Sequence, residues 1–187
     1  YAEARRPARL DADGAMLRMS MQEPALWRRA LIVAGDAYLH QARNLGAFGP
    51  RALTAAIHGL WCSRRSLADP APWHMVLALY DALLRQRDDA IVRLNRAVAL
   101  AEVAGADTAL AVVDGLDLTG YYLFHAIRAD LLRRLGRDAE AVEAYDAAID
   151  GTDNATERAF LQRNRQALDR AGRVGDVLQS CRTSAGG

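Results

Sequence analysis

RADLLRRLGRDAEAVEAYDAAI, residues 128–149, is the stretch that decides the fold. Ala129, Ala141 and Ala148 are small, Gly136 interrupts the run, and Tyr145 is the one large aromatic among them. On either side of the glycine, apolar residues recur at intervals of three and four, the period of an amphipathic helix. Small residues let two antiparallel helices approach closely, glycine frees the backbone to end the first, and one aromatic fills the gap that remains. A hairpin of this kind cannot bury its apolar face alone, so it must stack on neighbours.

The spacing of Ala129, Gly136, Ala141, Tyr145 and Ala148 is that of a tetratricopeptide (TPR) hairpin. Placing Gly105 at the point equivalent to Gly136 suggests an earlier hairpin, poorer in the diagnostic small residues. The rest of the chain follows the same grammar. One helix is expected from Pro24 to Gly46, with Trp27, Leu31, Ala34, Tyr38 and Leu45 on one face, and a second opens at Pro50 and ends before the Pro70 and Pro72 loop. Others are expected from Trp73, beyond Asp88 and Asp89, after Gly105, and from Tyr121 to Gly136. The next two start at Asp138, as N-cap, and at Asn154 or Thr156, with Gly172 as the stop and VGDVLQSC as a short last turn beyond it. The expected class is all-α: antiparallel helical hairpins stacked as a TPR-like right-handed superhelix. Its parts are a linker at 1–22, an N-terminal helical part at 23–88, repeats with a capping helix at 89–181, and a disordered tail at 182–187.

Composition narrows the function. Arg, Asp or Glu interrupts every apolar stretch before the roughly 18 residues that a membrane span needs, so no membrane partner is expected. Cys62 and Cys181 are too few for a disulfide framework, which points to a reducing cytoplasm. The opening YAEARRPARL has neither Met nor an apolar core and reads as a fragment with more chain before it. All 24 basic residues are Arg, a coding bias rather than a mechanism. Residues 1–65 carry ten Arg against five acids, and residues 66–187 fourteen against eighteen. Arg5, Arg6, Arg9, Arg28 and Arg29 are therefore candidates for a nucleic-acid or acidic-protein face, but no aromatic platform accompanies them, and solvated helix faces are the simpler expectation.

Several blocks occur in one order across nearly the whole chain. They are ARRPARLDADG at 4–14, Gln22 with Trp27, TAAIH at 54–58, Trp73 followed by LALYDALL, LNRAVALAEVAG at 94–105, HAIRADLLRRLGR at 125–137 and ERAFLQR at 157–163. In this order the chain resembles the carboxy-terminal extension of a TPR-bearing group of bacterial extracytoplasmic-function (ECF) sigma factors. It departs from that pattern at Glu23-Pro24, at the bulky basic run GLWCSRR, and at Pro70 and Pro72. The resemblance implies a regulatory module behind the two DNA- and polymerase-binding regions of a sigma factor, tuning promoter-specific initiation. The implied partners are proteins: the sigma core, RNA polymerase or a signalling regulator. DNA contact would come only through the sigma regions that these residues do not contain. By the same resemblance Asp13 and Gly14 set how the extension docks on that core. A free-standing TPR scaffold that binds an extended peptide is the alternative.

The candidate partner groove follows from the repeat register. It puts Asn95 and Ala99 on the inner face of one repeat, and Ala126, Asp130, Arg133 and Arg134 on that of the next. Asn95 and Arg133 would hold the backbone or a carboxylate of an extended partner. Asp11, Asp13 and Gly14 suggest a calcium loop but lack its later glycine and bidentate glutamate, so a turn is expected. His58 and Cys62 lie one helical turn apart with no further ligand nearby, and together with His74 and His125 they are expected to serve packing rather than metal binding. Trp27, Trp61 and Trp73 could line a small-ligand pocket between lobes, but aromatics at helical spacing belong to a core. No nucleophile with a base, phosphate cradle or carboxylate pair stands out, and neither an enzyme nor a cofactor is expected.

Overall fold

Pro50 sits in the first turn of its helix, where its missing N–H is not needed. The Asp89 carboxylate accepts from the N–H of Ile91 at 2.9 Å and of Val92 at 3.3 Å, and Asn154 does the same for Thr156 and Glu157. From such starts the computed structural model builds eight α-helices among the residues it describes, which are 1–12 and 14–184, with side chains to Arg170. These are α1 (Arg29–Asn44), α2 (Pro50–Cys62), α3 (Trp73–Gln86), α4 (Ala90–Ala104), α5 (Ala106–Asp114), α6 (Tyr122–Arg134), α7 (Asp138–Asp150) and α8 (Ala155–Ser184). No strand occurs among the described residues, and the class is all-α.

Two compact units divide the chain, Tyr1–Asp117 and the residues from Leu118 onward. In the first, α1 packs on α2, α2 on α3, α3 on α4 and α4 on α5. Its core holds Ile57, Trp61, Val76 and Ala99, with Trp61 and Trp73 edge to face at 4.7 Å between ring centroids. In the second, α6 packs on α7 and α7 on α8. Ala129, Leu132, Ala141, Ala144, Tyr145 and Ala148 are all buried there, with Leu161 and Leu168 of α8.

The turn between α6 and α7 has a specific hydrogen-bond pattern. Gly136 N–H donates to Arg133 C=O at 3.1 Å and Arg137 N–H to Leu132 C=O at 3.0 Å, with Gly136 at φ +70°. This is a Schellman motif, and its left-handed residue favours glycine. Gly105 behaves differently. It is the single residue between α4 and α5, at φ +97° and ψ 157°, and α5 has nine residues where α7 has thirteen. The earlier hairpin is thus not a geometric copy of the later one.

Residues 1–28 do not trail as a linker. Ala4, Ala8 and Trp27 form a buried cluster with Ile32 of α1 and Cys62 of α2, against which the Tyr1 ring packs. The helix expected from Pro24 is instead a 3-10 turn over Pro24–Leu26, after which Trp27 is extended and turns inward. Leu31 and Tyr38 do share a face of α1, with Leu45 at its C-cap, but it is open: Tyr38 is 74% and Leu45 73% exposed. Arg137, not Asp138, occupies the N-cap of α7. Asp138 and Glu140 lie in the first turn, where a carboxylate meets the positive end of the helix dipole. Likewise α8 continues through Gly172, so residues 182–184 belong to it and 185–187 of the expected tail lie outside the described residues.

Candidate functional site

The groove candidates fall into both units, and each set is described by itself. On α4, Asn95 is exposed, but Ala99 is 1% exposed and packed against Ile57, Trp61 and Val76. Ala99 therefore serves the core and offers nothing to a partner. Its small side chain is what lets α4 sit close to its neighbours.

On α6, Ala126, Asp130, Arg133 and Arg134 follow the i, i+4, i+7, i+8 pattern of one helix face. Ala126 is half-buried. Arg133 Nη2 donates to Asp130 Oδ1 at 2.8 Å, and that bond is the main reason its guanidinium is held above its ordinary range. Just past the turn, Arg137 grips Glu140 with two parallel bonds of 2.7 and 2.6 Å, which holds the Glu140 carboxyl below its usual range. The edge of the α6–α7 hairpin is therefore a row of paired charges with guanidinium donors pointing outward. Such a row can take up a carboxylate or backbone carbonyl by exchanging partners, at little cost in stability because exposed pairs contribute little.

Near the start of the chain, Leu10 and Met16 form a lone antiparallel bridge. The turn between them is held by Asp11, whose Oδ1 accepts from Ala15 N–H at 2.7 Å, and Gly14 sits at φ +75°. The Asp11 carboxylate is thus part of a turn. Asp13, the other docking candidate, lies outside the described residues, as does the side chain of Cys181.

The five arginines considered for nucleic acid are engaged within the first unit. Arg28 pairs with Glu3 at 2.9 Å and Arg6 lies 3.6 Å from the same carboxylate. Arg9 donates to Ala2 C=O, and Arg29 to Cys62 C=O. Arg5 is only 4% exposed, and its Nη2 donates to His58 Nδ1 at 3.1 Å. A guanidinium has only donors, so Nδ1 must be the acceptor and the imidazole neutral. Burial, then the positive charge of Arg5, holds His58 below its ordinary value. Burial also pushes the Cys62 thiol up. The spacing of His58 and Cys62 is therefore used for packing, and no three His, Cys, Asp or Glu converge as metal ligands among the described residues.

Sequence reasoning missed a polar clamp at Arg64, which is 5% exposed. Its Nη1 donates to Ser20 C=O at 2.9 Å, its Nη2 to Leu67 C=O at 3.0 Å and its Nε to Asp69 C=O at 3.2 Å. It also missed the seat of Tyr1. A Cβ on Gly35 of α1 would lie 2.9 Å from the Tyr1 ring, and one on Gly59 of α2 would lie 3.1 Å from its hydroxyl. Glycine inside a helix costs about 1 kcal/mol relative to Ala, so two such glycines were the available signal that something approaches closely.

Residues 1–43 match a family described as a family of unknown function (DUF6596). An uncharacterized protein of Rhizobium meliloti (strain 1021) is 37% identical over 161 residues, which is 85% of this chain and 38% of that protein. The chain thus spans well under half the length of that relative. No solved structure matches. Among the described residues, no helix is long and apolar enough to cross a membrane.

Proposed function

We propose that residues 1–187 form the carboxy-terminal regulatory part of an ECF sigma factor, a TPR-like protein-interaction module that tunes promoter-specific initiation from the cytoplasm. The observation that carries this reading is the ordered set of blocks along the chain. They coincide with the packing positions: Ala4 and Ala8 in the first block, Gln22 and Trp27 in the second, and Ile57, Leu83, Leu94, Ala97, Ala99, Ala101, Ala129, Leu131, Leu132 and Leu161 in the others are buried. Within each unit every helix packs on the next, the nearest-neighbour pattern of a solenoid, which supports the TPR-like stacking. The module works by contact with the sigma core, RNA polymerase or a regulator, with Arg133 and Asp130 on the face of α6 as the contact pair.

Reconstituted transcription tests it. A full-length factor and a truncation lacking residues 1–187 are compared on one promoter, with purified polymerase and with cell extract added. The expected result is a difference in transcript yield. Equal yields under all conditions would refute regulation. Absence of a helix-turn-helix region encoded upstream would favour a free-standing scaffold.

A further inference from the structure

A cleft of about 330 Å³ opens between α3, α4 and α5, lined by Leu84, Arg85, Asp88, Arg93, Arg96 and Val112. We propose that it is an anion site for a small organic carboxylate, free or carried as an acidic side chain of a peptide. This goes beyond the regulatory reading and holds with or without it.

Three guanidinium groups share this wall, and two are fixed in place. Arg93 grips Asp88 through Nε and Nη2 at 2.7 and 2.6 Å, and Arg96 Nε donates to Asp81 at 2.5 Å. Those bonds hold the forks while leaving Nη1 of Arg93 and both Nη of Arg96 with unused donors. The Arg85 side chain has no hydrogen bond or ion pair among the described residues. The charges decide the ligand. Three Arg less Asp81 and Asp88 leave one uncompensated positive charge, which a single carboxylate neutralises and a phosphate dianion overbalances. Arginine forks match the two oxygens of a carboxylate. Leu84 and Val112 provide an apolar floor for the group that carries it.

The test follows the arginine Nε–H resonances of the full chain by NMR while 4-methylpentanoate is added at low salt. The expected result is a saturable shift at Arg85, lost roughly tenfold or more in affinity in Arg85→Gln. Arg51→Gln, on the exposed surface of α2, is expected to bind as the unaltered chain does. Because the Arg85 side chain holds nothing in the fold, Arg85→Gln keeps the original melting temperature, which separates lost binding from lost structure. An acetylated Leu-Glu-Leu amide and inorganic phosphate are the other arms. Tighter binding of the peptide assigns the carboxylate to a protein partner, and tighter binding of the free acid assigns it to a small molecule; both support the site. No saturation up to about 20 mM, phosphate binding without carboxylate binding, or equal losses in Arg85→Gln and Arg51→Gln would overturn it.

Discussion

His58 ties the stability of the first unit to pH, and the sign follows from its bond. Its Nδ1 accepts from Arg5, so the folded state holds the imidazole neutral and below its ordinary value near 6.5. In the unfolded chain the ring takes a proton near that ordinary value. As pH falls below about 6.5 the unfolded state therefore binds a proton that the folded state refuses, and stability declines until the folded value is reached. Above 6.5 the contribution is complete. One proton sets a ceiling of about 1.4 kcal/mol per pH unit, and because the unfolded ring is only half protonated at pH 6.5, the loss between pH 6.5 and 5.5 is at most roughly 1 kcal/mol. For a unit of this size that limits the fall in melting temperature to roughly 3–5 °C. Urea unfolding at pH 7.5, 6.5 and 5.5 measures it. The reference is His58→Asn, whose side-chain oxygen can accept from Arg5 but does not titrate. The variant is expected to lose clearly less stability than the original across that range, and parallel curves would refute the coupling.

Overpacking the second unit is expected to cost about 1–3 kcal/mol in Ala148→Leu, because Ala148 is fully buried. In the same urea titration Arg133→Ala, which removes an exposed i, i+3 pair, is expected to change stability by less than about 1 kcal/mol. Gly136→Ala puts a side chain at φ +70° and is expected to cost about 1–2 kcal/mol, seen as a lower unfolding midpoint with an unchanged slope. Arg64→Met keeps the bulk but strips three partly buried carbonyls of their donor. A loss of about 2–4 kcal/mol is expected, with hydrogen exchange rising first in residues 63–70.

Local signals carried the helical framework. Pro50, Asp89, Asn154 and Gly136 act on their nearest neighbours, and the structure places each at a helix end. Alanines at 129, 141 and 148 pack within one hairpin, where the chain itself brings them together. The seat of residues 1–28 was hidden for the opposite reason. Its contacts join positions far apart in the chain: Tyr1 to Asp36, Arg5 to His58, Ser20 to Arg64. Periodicity is blind to such pairs, and the residues that make them include arginines, whose default is the surface. Ala99 failed as a groove residue because a small side chain suits both a partner-facing wall and a helix crossing, and only packing tells them apart. The open face of α1 shows the converse, since an apolar stripe marks a surface fit for burial without saying what buries it.

The way Tyr1 and Arg5 reach α1 and α2 also governs where this chain can be dissected. A fragment ending within α2 before His58 would strip Arg5 of its acceptor, take Gly59 from beside the Tyr1 hydroxyl, and deprive Ser20 of its Arg64 donor. One beginning after Trp27 would leave the far side of Cys62 bare. The division that severs neither arrangement falls between Asp117 and Leu118, and expression of either half for biophysical work should begin or end there.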